Sequence, residues 1–573
     1  MAGSSLDGLD VDVVVVGSGA AGLTAAIVAR LQGLRVIVLE KDALVGGTTA
    51  ISGGVLWIPL SRHGRAQNPE DSGSAVAEYL RQDVGELLEA EEVDALVRFG
   101  PAMVNCLEAN TCVQFGPSSY PDYHPHLPGG ADIGRAIIAK PFDLRVLRED
   151  RLRLRSPLAT ITFLGMMFNS SNSELKHFFN ATRSIRSMSY VARRLMGHLG
   201  EVMRYGRSVR STGGNALAAR LFEATRELGI PVITDAAVTS LRVEAQRVVG
   251  VSGKATGSAF GVGARRGVVI ACGGFSHDQQ LTRERFRHGA GAGGYTSATP
   301  ASITGDGIRL VQSAGGRLAS ARSQPAAWMP ISLVPQPDGL QLPFPHLLDR
   351  YKPGVIAVLR NGKRFTNESN SYHDVGAAAI SASGRAEVAF WLVADSRSIR
   401  KYGLGYVKPS PLPRGRHIAS GYLQCAPTLE LLGKALGIDG LALKKTVDAF
   451  NEHARGGRDP EFGRGETAFN RYLGDPAHQP NPCIAPLDAA PFYAVRVTVG
   501  DLSTYDGIRA DVAGRVLRSD DAVVEGLHVV GADRASMMGG AYPGPGINHG
   551  PHMTTAYLAA LALAGVEIDE FAQ

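Results

Sequence analysis

Three glycines and one acid near the start of the chain have the types and spacing that hold a dinucleotide. Gly17-Ser18-Gly19-Ala20-Ala21-Gly22 follows the apolar run Val13 to Val16 and precedes a helical pattern that ends near Gln32. Gly17 permits the tight turn out of a strand. Gly19 lets the backbone approach a pyrophosphate, and Gly22 lets the helix pack on the sheet with its N-terminus toward the phosphates. A second apolar run, Val36 to Leu39, ends at Glu40, 18 residues after Gly22. The Glu40 carboxylate can accept hydrogen bonds from both hydroxyls of an adenosine ribose. A plain glycine-rich turn is the bland alternative. The strand before, the helix after and the acid closing the next strand argue against it.

A flavin that stays bound needs contacts farther along the chain, and two stretches offer them. Gly46-Gly47-Thr48-Thr49 with Ser52-Gly53-Gly54 follows the first βαβ unit, where backbone N–H groups can reach phosphate or flavin oxygens. Gly526 to Asp533 reads as a strand ending at Gly531 and an acid. Gly539 to Gly546 then opens the last helix. The N-terminus of that helix can stabilise negative charge at N1 and the C2 carbonyl of a reduced flavin. A single nucleotide fingerprint argues against separate flavin and nicotinamide sites, so FAD is the expected cofactor.

The elements that position these residues are those of an α/β chain. Residues 1–60 read as a βαβ start, 70–115 as mostly helical, and 120–130 as a loop bounded by proline and glycine. Residues 211–275 return to α/β, 308–490 carry mixed signals, and 491–573 hold strands, a glycine-rich loop and a final helix. There is no internal repeat. Gly289 to Gly294 lacks a preceding strand and reads as a linker.

Composition bounds the rest. The chain has 573 residues, 44% of them hydrophobic, enough for a sizeable core. Its five cysteines are odd in number and form no CxxC, which favours a reducing compartment. Cys272, inside an apolar run, reads as a core residue. No metal-ligating cluster is expected. There is no basic-then-apolar leader and no run near the ~20 apolar residues of a spanning helix, so a cytoplasmic location is expected. Residues 141–210 hold 13 Arg or Lys against 5 Asp or Glu, which confines the basicity of the chain to one segment. That segment contains the apolar run Leu158 to Phe168 and five methionines between 166 and 203. It suits either peripheral contact with the inner face of the cell membrane or a helical hairpin over the active site. Without a recognised module or stacking aromatics, nucleic-acid binding is not expected.

Val14–Gly22, Glu40, Gly46–Thr49, Ser52–Gly54, Ala271–Gly274, Thr304–Gly307, Asn361–Ser369 and Gly526–Gly550 together resemble the flavoprotein family of fumarate reductases and 3-ketosteroid dehydrogenases. The resemblance spans nearly the whole chain outside 131–210. It extends the cofactor contacts to Lys41, Val238, Gly273, Gly274, Asp306, Gly546 and Ile547. Fumarate reductases carry an arginine after the Asn-Glu pair; here Asn367-Glu368-Ser369-Asn370-Ser371 leads to Tyr372. They also carry a histidine-rich stretch where this chain has Gly500 to Gly507, without histidine. A dicarboxylate substrate is not implied.

The 3-ketosteroid Δ1-dehydrogenases use tyrosines in this pattern, and Tyr123, Tyr372 and Tyr542 match them. The related Δ4-dehydrogenases have a serine two residues after the last tyrosine, where Gly544 stands. The resemblance implies removal of two hydrogens from C1 and C2 beside a C3 ketone. The Tyr542 hydroxyl and Gly546 N–H hold the carbonyl oxygen as it gains enolate charge. Tyr372 takes the C2 proton, Tyr123 lowers its pKa or relays the proton, and hydride leaves C1 for flavin N5. Tyr120, three residues away, competes for the Tyr123 role. The Δ4 reaction, chemistry on another enone and a membrane-docked electron carrier remain as rivals. The electron acceptor, a quinone or a dye in vitro, is left open. No histidine lies in Gly46–Gly54, so non-covalent FAD is expected. Tyr505 replaces part of a usual Gly-Thr-Lys-Gly-Gly stretch and is expected near the flavin. The implied architecture is a Rossmann-type FAD domain (1–130, 205–300, 490–573), a basic helical insertion (131–204) and an α+β substrate domain (301–489).

Overall fold

The computed structural model describes residues 6–166, 177–178, 184–286, 288, 295–384 and 387–567. Met167 and Phe168 of the apolar run and the Gly289–Gly294 stretch lie outside the described residues. The first apolar runs form parallel strands. Leu9–Val16 pairs on one side with Val36–Leu39 and on the other with Ser258–Ile270, in registers such as Val13 to Val36 and Val14 to Val268. Ser258–Ile270 in turn pairs with Val523–Val529, and Val36–Leu39 with Val232–Ile233. Both faces of this sheet are covered, which is why Val13 to Val16 read as a continuous apolar run without alternation.

The helix Ala20–Leu31 starts where Gly19 ends the turn, and residues Ala20 to Ala29 are buried. The last helix, His549–Ala564, packs beside it. It is apolar nearly all round, as a helix enclosed by protein must be. These two helix N-termini and the C-terminal ends of the parallel strands meet at one edge, where an open α/β sheet places its ligand.

A second layer is antiparallel: Gln341–Pro345, Ala326–Pro335, Phe492–Thr504, Ala389–Ala394 and Val355–Val358 lie in that order, with Gln424–Ala426 beside Phe492–Thr504. The domain boundary expected at 490 therefore moves. Phe492–Thr504 is the centre of the second sheet, and the chain rejoins the first at Arg515–Leu517. An apolar strand does not announce its partners, because pairing is non-local.

The segment expected as a helical insertion also divides. Ala136–Ala139 is a strand between Val55–Trp57 and Phe115–Pro117, and Phe142–Asp143 pairs with Arg210–Ser211. Arg155 forms an ion pair with Asp42 of the nucleotide layer. Only Ile185–Tyr205 is a long helix in this segment among the described residues, capped by Ser184 at its start and Gly206 at its end.

Candidate active site

A continuous cleft runs between the two layers, and its two ends are built differently. The nucleotide end is made by backbone. Gly17 has φ +111°, and a Cβ there would lie 2.1 Å from the Ala271 carbonyl oxygen, so only glycine makes this turn. A Cβ on Gly22 would lie 2.2 Å from the Gly17 carbonyl oxygen, which sets how closely helix and strand pack. Gly19, Gly47 and Gly53 differ: no atom lies closer than 3.8 Å to a Cβ built there, and all three line the open cleft. They form a cradle that side chains would fill and that a diphosphate can enter.

Side chains lock this cradle. The Ala20 N–H donates to Thr49 Oγ1 (3.0 Å), and Ser52 Oγ donates to the Thr49 carbonyl (2.8 Å) and accepts from Gly54 N–H (3.2 Å). Glu40 accepts from Ser18 N–H (3.0 Å), Ser18 Oγ (2.7 Å) and Asp42 N–H (2.9 Å), which holds its carboxylate at the strand end. Lys41 reaches Thr304 Oγ1 (2.7 Å) and Asp306. Burial disfavours the Asp306 charge, but Lys41 and Arg309 outweigh it and hold the carboxyl below its ordinary range.

Ala21, Thr48, Val238, Gly273 and Gly531 also line the cleft. Gly46, Gly274, Asp533 and Ile547 do not; they sit behind its wall. Gly46 donates to Ser18 Oγ (3.2 Å). Asp533, fully buried and pushed up to about 7 by that burial, accepts from Gly273 N–H (2.9 Å) and Gly274 N–H (3.3 Å). Its role is to shape the loop that faces the cofactor. At the far side the helix His549–Ala564 begins without a side-chain cap, and Asn548 and His549 line the cleft. The positive end of that helix therefore borders the space a flavin ring would occupy.

The other end is made by side chains. Tyr123 lies in the loop after Tyr120, Tyr372 is the first residue of the helix Tyr372–Ser383, and Tyr542 precedes the last helix. The Tyr372 hydroxyl donates to the Tyr542 hydroxyl at 2.6 Å. The Tyr123 ring stacks on Tyr542 (5.4 Å between centroids) and meets Tyr372 edge-on at 5.8 Å. Tyr120 packs instead against Tyr472 at 4.5 Å. Burial, first among the causes, pushes Tyr123 and Tyr372 well above the ordinary phenol range and Tyr542 to about 12. Gly546 has φ +88°, and a Cβ there would lie 2.4 Å from the Val55 carbonyl oxygen. Its N–H donates to no protein acceptor among the described residues.

The cradle, the uncapped helix and the phenols fit a flavin dinucleotide, and the likeness to other proteins agrees. The family described as an FAD binding domain matches residues 12–548. The chain belongs to that family. It is a flavoprotein oxidoreductase with FAD as its cofactor. Over 96% of the flavoprotein and 93% of the relative, it is 38% identical to a 4-oxocyclohex-2-ene-1-carboxylate 5-dehydrogenase of Sinomonas cyclohexanicum. It is 35% identical to a 3-oxosteroid 1-dehydrogenase of Mycolicibacterium smegmatis, over 98% of both chains. The 3-ketosteroid Δ1-dehydrogenase of Sterolibacterium denitrificans, solved with 1,4-androstadiene-3,17-dione, superposes with a TM-score of 0.88 at 34% identity, covering 97% of the flavoprotein and 99% of that chain.

The flavoprotein's cleft also holds residues that sequence reasoning missed. Leu158 and Ile161 of the basic segment line it, as do Leu347, Leu348, His549 and His552. The two histidines are held neutral by burial, His549 down to about 4 and His552 to about 3. His549 had a signal, its place three residues after Gly546 at the start of the last helix; Leu347 and Leu348 had none. Tyr505 differs from expectation. Its N–H donates to the Pro325 carbonyl (2.7 Å), and its fully buried ring lies behind Tyr542 and His373, at 6.4 and 6.0 Å. Leu502 and Ser503 line the cleft in its place.

Proposed function

We propose that this flavoprotein introduces the C1–C2 double bond beside the C3 ketone of an apolar fused-ring 3-ketosteroid. One observation carries the choice of substrate. The cleft away from Glu40 is lined by Ile51, Val55, Leu158, Ile161, Pro345, Leu347, Leu348, Leu473 and Leu502 together with the tyrosines. A 4-oxocyclohexene carboxylate would need a cation for its acid group. The cations lining the cleft among the described residues, Lys41 and Arg155, are already paired with Asp306 and Asp42 beside Glu40. An unpaired carboxylate in this apolar pocket would be strongly disfavoured. Against the Δ4 reaction, a Cβ at Gly544 would lie 2.6 Å from the Trp57 indole nitrogen, which leaves no room for serine.

In this reading the Tyr542 hydroxyl and Gly546 N–H grip the C3 carbonyl oxygen and stabilise the charge it gains as C2–H is lost. Bound FAD supplies the acceptor for the hydride leaving C1. Tyr372 receives the C2 proton. Its ionised form is the working base; burial and the neighbouring Tyr123 and Tyr542 phenols all raise its pKa, and once Tyr372 is ionised those two hydroxyls must turn to donate to it. Burial keeps that form scarce near neutrality. The test is dye-coupled turnover by the purified holoenzyme with 4-androstene-3,17-dione, cholest-4-en-3-one and 4-oxocyclohex-2-ene-1-carboxylate, with products identified by mass and NMR. A 1,4-dien-3-one from a steroid and no reaction with the carboxylate are expected. Faster turnover of the carboxylate would overturn the substrate class.

The helix Ile185–Tyr205 supports a place for this chemistry at an anionic membrane surface. It exposes Ile185, Met188, Met196, Leu199 and Met203, with Arg186, Arg193 and Arg204 among them, and nearby Leu164 is 74% exposed. An apolar stripe flanked by arginines suits an interface carrying negative charge. No helix among the described residues is long and apolar enough to cross a membrane. Co-sedimentation with vesicles containing anionic lipid is expected, and its loss on the double substitution Leu199→Ser, Met203→Ser. Equal pelleting of that variant would remove the helix from the interface.

A further inference from the structure

The three tyrosines reach one another from chain positions that lie far apart, and ring packing alone leaves phenols free to slide by more than a proton transfer tolerates. The structure contains a second set of links among the same three segments. They converge on His124, the residue after Tyr123. Its Nε2 hydrogen-bonds Asp374 Oδ2 at 3.0 Å, and its Nδ1 lies 2.6 Å from Asp83 Oδ1 as an ion-pair contact that is not aligned as a hydrogen bond. Asp374 is in the first turn of the helix that begins at Tyr372. The same Asp374 oxygen accepts from Ser371 Oγ (2.7 Å), and Ser371 caps that helix by accepting from Asp374 N–H (3.1 Å). Asp83 belongs to the helix Gly73–Val84, one turn after Tyr79 and on the same face. The Tyr79 hydroxyl accepts from His124 N–H (3.3 Å) and donates to the Pro543 carbonyl (2.5 Å), next to Tyr542. Tyr123 N–H donates to that carbonyl too, at 2.8 Å.

We infer that His124 is a positioning residue for the proton-transfer step: its ring, held at both nitrogens between Asp83 and Asp374, ties the loop of Tyr123 to the helix that starts at Tyr372. The inference rests on the proposed role of Tyr372 as base.

Two physical consequences follow from the arrangement. A carboxylate faces each ring nitrogen, hydrogen-bonded at Nε2 and in ion-pair contact at Nδ1, and two such neighbours favour imidazolium. Burial works against that charge, but Asp374 and Asp83 outweigh it and raise the histidine to about 10. The ring is therefore a fixed cation with two anchored arms, not a titrating surface group. Second, it neutralises a carboxylate two residues from Tyr372. Without it, Asp374 would oppose ionisation of the nearby phenol. The tie therefore acts on the base both by geometry and by charge, while touching neither substrate nor cofactor.

The experiment compares His124→Gln and Asp83→Asn with wild-type holoenzyme, using a steroid substrate deuterated at C2. For His124→Gln, kcat is expected to fall by ~10- to 100-fold, the cost of loosening a reacting pair, with flavin content unchanged. KM is expected to stay within about 3-fold, since the lost interaction acts in the transition state. The C2 deuterium effect on kcat should grow as proton removal becomes slower. Asp83→Asn keeps the Asp374 arm and should give a smaller fall in the same direction. Wild-type kcat in His124→Gln would overturn the inference, as would a parallel loss of kcat, KM and flavin in both variants. If wild type oxidises no 3-ketosteroid, the proposed function fails separately. The tie is then read by NMR of histidine-labelled protein, where both His124 ring nitrogens are expected to carry protons at neutral pH; a singly protonated ring would overturn it.

Discussion

The nucleotide end and the tyrosine end of one cleft solve opposite problems. The first presents backbone N–H groups, so its requirement is the absence of side chains: Gly17 and Gly22 because a Cβ would strike backbone, Gly19, Gly47 and Gly53 because it would occupy ligand space. Its residues come largely from a short continuous stretch, 16–54. The second presents hydroxyls, and needs Tyr123, Tyr372 and Tyr542 brought to within 5.1–5.8 Å of one another from three distant segments. The contrast teaches that binding and chemistry are separable here. A lesion at the first end should cost the cofactor, and a lesion at the second should cost the reaction and leave the cofactor in place.

The strongest way to break that separation is to delete single hydroxyls. Tyr372→Phe is expected to lower steroid turnover by ~10²–10⁴-fold, the usual worth of a positioned general base. Tyr542→Phe should cost ~10²–10³-fold, as loss of one oxyanion donor does. Both should keep a wild-type ratio of flavin to protein. Gly17→Ala should do the reverse and yield protein poor in flavin, since the added Cβ cannot be placed beside Ala271. Absorbance of bound flavin beside dye-coupled turnover separates the two kinds of lesion. If Tyr372→Phe still passes steroid electrons to the dye at the wild-type rate, the base assignment falls. The same base predicts a pH dependence. Burial raises Tyr372 well above the ordinary phenol range, so the ionised fraction near neutrality is small and grows about tenfold per pH unit below the pKa. Turnover should climb from neutral into alkaline pH, and a flat profile there would mean that Tyr372 is not limiting in its ionised form.

The same contrast explains what was legible in the sequence. The cradle is local, so spacing alone located Gly17, Gly19, Gly22 and Glu40, and the βαβ start followed from the apolar runs Val13 to Val16 and Val36 to Leu39 on either side of a helical pattern. Tyrosines carry no such spacing. Tyr123, Tyr372 and Tyr542 were reached only through a family resemblance, and their convergence depends on how two layers pack. Pairing was also hidden: nothing in Phe492–Thr504 says that it sits between Ala326–Pro335 and Ala389–Ala394 in the second sheet. The run holding Leu158 and Ile161 suited either a membrane contact or a cover over the active site, and spacing could not choose; these two residues line the cleft, held there as Thr160 Oγ1 donates to the Pro343 carbonyl (2.6 Å). Asp533 was read as a cofactor contact because it ends a strand beside glycine, but it turns inward to bind the Gly273–Gly274 backbone.

The smallest expected effect sharpens the line between reactive and merely buried phenols. Tyr505 is more deeply buried than any of the three cleft tyrosines, and its ring lies 6.4 Å from Tyr542. Its hydroxyl, however, has no hydrogen-bond partner among the described residues. A buried hydroxyl left unmatched costs about 1–3 kcal/mol, and phenylalanine keeps the ring while removing that cost. Tyr505→Phe should therefore melt at or above the wild-type temperature, with turnover changed by less than about twofold, because Leu502 and Ser503 stand on the cleft wall in its place. Differential scanning calorimetry and the dye assay measure both. A large loss of turnover with normal flavin would mean that the Tyr505 hydroxyl supports Tyr542 from behind, and the reactive set would then extend one layer deeper than the cleft wall.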